Sequence, residues 1–233
     1  MAAGRLAHLV LRALDEGEVG DPTAQVAGLI LRLCVQPRVL HLFRGHYARS
    51  LLSLASEFDT MMRTVAAKLW CTSPAWSQAV DLQVRLPLRW GGMGLRPIAE
   101  IAPAAFLGSW AQVLPAVQRL VGGAPLLGPG AAASPTASAV RAAEDRWREL
   151  AAQPEAVPVD WAAAGAVPQG LRRHQRVLSL AVDRERRNRL QRAVTPAEWT
   201  RLRNCAGTWA AVWLTVPPTE HGGSVSSTGS TTL

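Results

Sequence analysis

Between positions 46 and 71, Leu51, Leu54, Phe58, Met61, Met62, Val65 and Leu69 recur at three- and four-residue steps, while Ser53, Glu57, Thr60, Arg63 and Lys68 fall largely elsewhere. That period defines one face of an amphipathic helix, and such a face must be covered by other apolar elements. The Met pair lies in the stripe and reads as core, not as a cofactor site. Residues 25–35 are apolar almost all round and predict a buried helix that stops at Pro37, with Cys34 as a small core residue. Residues 101–118 carry no charge but contain Pro103, Gly108, Gln112 and Pro115. They predict a buried helix pair in preference to a membrane span. The expected fold is mainly α: an irregular helical bundle, a linker, a second small helical segment and a disordered C-terminal tail.

The composition divides the chain into four stretches. Residues 1–121 form the first helical region. Residues 122–135, GGAPLLGPGAAASP, have no charge and no useful period, and read as a linker. Residues 136–218 form a basic helical region, and 219–233 run into a Gly/Ser/Thr tail. Within the third stretch, Ser134-Pro135 offers a cap and first-turn pair for a helix through Val140, Ala143, Trp147 and Leu150. Another helix is expected over 171–193. Thr195-Pro196-Ala197-Glu198 then reads as a capping box with proline at the first helical position. It opens a helix with Trp199, Leu202 and Cys205 on one face and Gly207 at its end. TWAAVWLTVPP follows as a strand or a buried extension.

A net charge of +8 favours an anionic partner, RNA or DNA in particular. Lys68 is the only lysine, and the chain is dense in Ala, Arg, Gly and Pro, as a GC-rich coding sequence would make it, so part of that charge reflects base composition. Cys34, Cys71 and Cys205 are odd in number and far apart, which argues against a disulfide framework and for an intracellular setting, nuclear or cytoplasmic. MAAGRLAHLVLRAL, with arginines, no early acid and leucines at helical spacing, keeps a mitochondrial presequence as the minor alternative. No membrane association is expected.

Catalytic chemistry finds little footing. Two-metal polymerases need neighbouring carboxylates, and no Asp-Asp pair after an aromatic occurs. Glu144-Asp145 sits among Arg141 and Arg148 as a solvated helix face would. His41 and His46 fall on different sides of a helix, His174 and His221 read as surface and tail positions, and no zinc-type spacing or nucleophile elbow is present. No catalytic residue, metal ligand or cofactor is assigned.

Two stretches remain as binding candidates. RLPLRWGGMGLRP, residues 85–97, matches neither nucleotide-loop spacing. Gly91, Gly92 and Gly94 instead allow positive φ and close backbone approach, so a structural turn between apolar anchors Leu86, Leu88, Trp90, Met93 and Leu95 is expected. Arg89 or Arg96 touching a phosphate is the alternative there. Pro97 opens the next helix, with Ile98, Ile101, Ala105 and Phe106 inward. On a helical wheel, LRRHQRVLSLAVDRER places Leu171, Leu178, Ala181 and Val182 on one side. Arg172, Arg173, Arg176, Arg184 and Arg187 share an arc of about 120° opposite. Asp183 falls inside that cationic arc, so local ion pairs take up part of the charge. Both a solvated face and a phosphate-binding face agree with this pattern.

The order of segments resembles a known family. LRLCVQPRVLHLFRG resembles the Cys-x-x-Pro-Arg-x-x-x-Leu-Leu-Arg segment that follows the polymerase domain in a group of non-LTR retrotransposon reverse transcriptases. RLPLRWGGMGLRPIAEIAPAAFLGSWAQVLP looks like their Leu-Pro…Gly-Gly-Leu-Gly-Leu-Arg-Ser…Ala-Pro-Ala-Ala-Tyr-x-x-Ser-Trp stretch. QRVLSLAVDRERRNRLQRAVTPAEWTRLRNCAGTWAAVWLTVPP is similar to the later segment ending Ser-x-x-Gly-x-x-Ala-x-x-Trp-Leu-x-x-x-Pro. The matches run in order over roughly residues 23–218. They imply the helical part beyond a polymerase core, with Arg38 and Arg44 at the positions of the family's basic pair. The aromatic-x-Asp-Asp palm motif and the later Cys/His region are absent from this sequence. The expectation is therefore a non-catalytic, nucleic-acid-associated fragment whose partners are RNA or DNA and a polymerase domain outside this chain. A helical protein-interaction module, or a degenerate remnant without function, is the alternative.

Overall fold

The computed structural model describes residues 23–70, 75–122, 134–156 and 174–206. The fold is mainly α, and no strand occurs among the described residues. Helix α1 (Thr23–Ile30) runs into a π turn (Leu31–Val35) and on into α2 (Gln36–Gly45). Helix α3 (Arg49–Leu69) follows, then α4 (Gln78–Arg85), a 3₁₀ turn (Leu88–Trp90) and α5 (Ile98–Leu120). Beyond residue 133 come α6 (Pro135–Leu150), a 3₁₀ turn (Pro154–Ala156), α7 (His174–Ala193) and α8 (Pro196–Asn204).

The first apolar element departs from its sequence reading. The helix does not stop at Pro37: the Gln36 N–H donates to the Leu31 carbonyl, five residues back, and the chain continues as α2. Proline in a regular α-helix clashes with the carbonyl four residues earlier and removes one bond. The widened π turn just before Pro37 relieves that conflict. Leu31 and Val35 are buried by the turn, whereas Cys34 is exposed and is not a core residue. Among the described residues, one helical stretch, Val26–Gly45, is long and apolar enough to cross a membrane by length and composition, and 28% of it is buried.

The second departure is α5. Residues 101–118 form no helix pair but lie within one continuous helix that contains both Pro103 and Pro115. Its burial explains why the helix survives Pro103. Residues Ile101 to Gly108 are all buried, and α2, α3, α6 and α7 pack around the helix, so tertiary contacts outweigh the backbone bond missing at Pro103, while Pro115 lies half-buried nearer the exposed end.

Two apolar clusters result. One joins Phe43, Tyr47, Phe106, Leu107, Trp147, Leu178 and neighbours from α2, α5, α6 and α7. The other joins Ala27, Leu31 and Val35 to Met62, Val65 and Leu69 of α3 and to Val84 and Leu95. Phe58 touches both. The α3 stripe thus spans two cores; its one outlier is Leu54, 56% exposed, whose place is taken by the buried Ala55. Helices on both sides of residues 122–135 share the first cluster: Trp147 is 1% exposed, and its indole N–H donates to the Leu178 carbonyl at 3.0 Å.

The cap signals form as local chemistry dictates. Ser134 accepts from the Ala137 N–H. Thr195 accepts from the Glu198 N–H while the Glu198 carboxylate accepts from the Thr195 N–H at 2.8 Å, a capping box. These bonds hold the Glu198 carboxyl below its usual range. Cys71, Gly207, TWAAVWLTVPP and the tail lie outside the described residues.

Candidate nucleic-acid interface

The glycine bend positions the site. After α4, the Gly91 N–H donates to the Leu88 carbonyl and the Gly94 N–H to the Leu86 carbonyl, both at 2.9 Å. Gly91 and Gly94 take φ of 78° and 76°, the left-handed region that a side chain resists. A Cβ on Gly92 would lie 2.1 Å from the Leu86 carbonyl oxygen, so the chain doubles back too closely for any side chain there. The bend delivers Arg89 and Arg96 to one wall of a cleft.

That cleft has a volume of about 830 Å³ and lies between the α1–α2 helix, the bend, α5 and α7. Five arginines line it: Arg32 from the π turn, Arg44 from α2, Arg89 and Arg96 from the bend, and Arg176 from α7. Among the described residues the one carboxylate in its wall is Asp183, whose side chain is 1% exposed and already engaged. Arg96 grips it with two bonds, Nε to Oδ1 at 3.2 Å and Nη2 to Oδ2 at 2.5 Å, and Arg186 adds Nη1 to Oδ1 at 3.0 Å. Among the described residues Arg32, Arg44, Arg89 and Arg176 have no carboxylate partner, so the cleft is left with unneutralised positive charge. Burial pulls the Arg32 guanidinium below its usual range, and it remains a cation at any ordinary pH.

Behind this wall the charges alternate in a chain. Arg63 pairs with Asp81, Asp81 with Arg85 at 3.0 Å, and Arg85 with Glu100 at 3.6 Å. Glu100 pairs with Arg186 at 2.6 Å, and Arg186 reaches Asp183. Burial pushes the Glu100 carboxyl up, but Arg186, through charge and hydrogen bond, and then Arg85 and Arg189 hold it below the ordinary carboxylate range. Gln36 ties α2 to the bend by donating from Nε2 to the Arg96 carbonyl at 2.8 Å. Arg96 therefore enters the cleft with both its backbone and its guanidinium fixed.

The sequence-predicted residues separate. Arg44 and Arg176 meet in the cleft. Arg38 lies next door, in a groove of about 560 Å³ that shares Leu33, Pro37, Leu40 and Arg44 with the cleft. Arg187 sits between two indoles, 5.5 Å from the Trp90 ring and 5.4 Å from that of Trp199, and so helps dock α8 on the bend. Arg184 is exposed and outside the cleft, and Arg172 and Arg173 lie outside the described residues. Asp183 corrects the wheel reading: it is a fully buried hub, not a member of a cationic surface. The buried side of α7 is wider than its apolar residues, since Ser179, Asp183 and Arg186 turn inward with Leu178, Val182 and Leu190. Arg32 and Arg186 carried no sequence signal, because the Glu100 partner of Arg186 stands 86 positions away and the other walls of the cleft that Arg32 lines come from other elements.

Comparison with known proteins finds no family model, no curated protein and no solved structure that matches this chain.

Proposed function

We propose that this chain is the helical, non-catalytic part of a retrotransposon reverse transcriptase-like protein and that its arginine cleft holds nucleic acid. The ancestry rests on the three ordered sequence segments. The binding reading is carried by one observation: five arginines from several elements face a single cleft whose only carboxylate among the described residues is buried and engaged. A polyanion is the complement of such a surface, and each neutralised phosphate releases counterions, so affinity falls with salt. In this reading the polymerase chemistry belongs to a domain outside this chain, and no residue here is assigned a catalytic role.

Anisotropy titration of the chain with a labelled oligonucleotide tests the proposal. Log affinity should fall linearly with log salt, with a slope of several units. The double variant Arg44→Ala/Arg176→Ala should bind more weakly and lose about 1.4 to 1.8 units of that slope, some 0.7 to 0.9 for each contact removed. Arg146→Ala, on the exposed side of α6, should change neither. A flat slope, or no binding at low salt, overturns the reading. The second reading, a helical interaction module, is favoured by Leu33 and Leu42, each 61% exposed on the α1–α2 helix. It predicts salt-insensitive capture of a polymerase domain with no nucleic acid present.

A further inference from the structure

The cleft is more than a patch of charge. Beside its arginines the cleft is lined by the apolar side chains of Leu33, Pro37, Leu40, Pro87, Leu88 and Leu180. Leu33 is 61% exposed, so this lining presents uncovered apolar surface to whatever enters. A duplex presents phosphate, sugar and base edges to such a lining, while its base faces are stacked on one another. An unpaired strand carries charge along its backbone and apolar base faces beside it, the combination that arginine-rimmed apolar grooves accept.

Size and polar lining point the same way. A cleft of about 830 Å³ falls in the range of sites that enclose one small organic ligand, on the order of one or a few nucleotides, and a double helix could only lie across its rim. Gln112, Gln175 and Ser179 also line it. Side-chain amides both donate and accept, as the pairing edges of bases do, and those edges are free only when the strand is single. Arg89, held 5.1 Å from the Trp90 ring centroid, is restrained at the rim before any ligand arrives.

From these observations we infer that the cleft takes single-stranded nucleic acid, with phosphates on Arg44, Arg89 and Arg176 and unpaired bases against Leu33, Leu40 and Leu88. This rests on the nucleic-acid reading above and specifies its ligand.

The test compares the intact chain's binding to an oligothymidine of about 12 nucleotides and to a duplex of equal length at matched salt. The single strand should bind about tenfold tighter or better. Leu33→Ser, a change at an exposed position, should weaken single-strand binding several-fold and narrow the gap between the two ligands. Arg44→Ala should weaken both. Equal or tighter duplex binding overturns the single-strand assignment and leaves the nucleic-acid reading standing. No binding of either at low salt overturns both. Displacement of the oligonucleotide by polyglutamate at equal charge concentration overturns the single-strand assignment in favour of an acidic peptide.

Discussion

Burial and hydrogen bonding pull the Asp59 carboxyl in opposite directions. Its oxygens accept from the Ile98 N–H at 2.7 Å and the Ala99 N–H at 3.0 Å, satisfying the first turn of α5, where the N-cap is Pro97 and has no side chain able to do so. Burial prevails over these bonds and over Arg85, with Glu100 adding to it, and pushes the carboxyl up to about 6. In the unfolded chain the same group titrates near 4. The folded chain therefore keeps this proton to higher pH, so the stability linked to Asp59 is complete below about pH 4 and is lost as pH rises to about 6. The loss is about 2 kcal/mol. Urea midpoints across that window should show wild-type stability falling relative to Asp59→Asn by this amount, and parallel profiles would refute it. The Pro97 signal was legible in the sequence, but its capping partner was not, because that partner sits 39 positions earlier on another helix. Asp183 went astray for the same reason. A wheel ranks residues by polarity alone, and Asp183 is buried by an arginine 87 positions away.

At the scale of the element, signals that close within four residues were readable and longer ones were not. The Thr195–Glu198 box is complete in its own tetrapeptide, and it forms. Thr195→Ala should cost α8 about 1 kcal/mol. Hydrogen exchange at the Glu198 amide should accelerate accordingly, with amides of α5 unchanged, since α8 has no buried residue and frays on its own. Prolines misled in the opposite sense. Pro37 read as a stop, and residues 101–118, with Pro103 and Pro115 inside them, as a helix pair, yet the helices run through all three prolines, at Pro37 by a π turn and at Pro103 under burial on several sides. Local propensity yields where enough apolar surface is covered, and a sequence window shows which face is apolar without showing what will cover it.

Over the whole molecule, α6 and α7 close on α5 through Trp147. The Gly/Pro-rich stretch before α6 gave no hint of that contact, since periodicity identifies the Val140–Trp147 face but not its counterpart. Trp147→Phe keeps most of the ring and leaves the Leu178 carbonyl without its donor, at a cost of about 1 to 3 kcal/mol. Thermal unfolding followed at several probes should shift as one transition, whereas a change confined to α6 would mean that the helices do not share a core. The π turn acts at this scale too. Upstream of it and within it Ala27, Leu31 and Val35 face one cluster, and downstream Val39, Leu40 and Phe43 face the other. An unbroken α-helix would set Arg32 and Arg44 about 120° apart, and one extra residue taken into the turn brings them to within about 20°. The turn is thus a phase correction between two halves of one rod. Substitutions such as those at exposed Leu33 and Cys34 leave the phase untouched, and so does deleting one codon between Arg32 and Gln36, which turns the bulge into a regular α-helix and keeps the arginine pair within about 20°; inserting one with the turn unchanged would rotate everything after it by about 100°, parting the pair and turning Phe43 from its core. Descendants of this gene can lose a residue here at less cost than they can gain one.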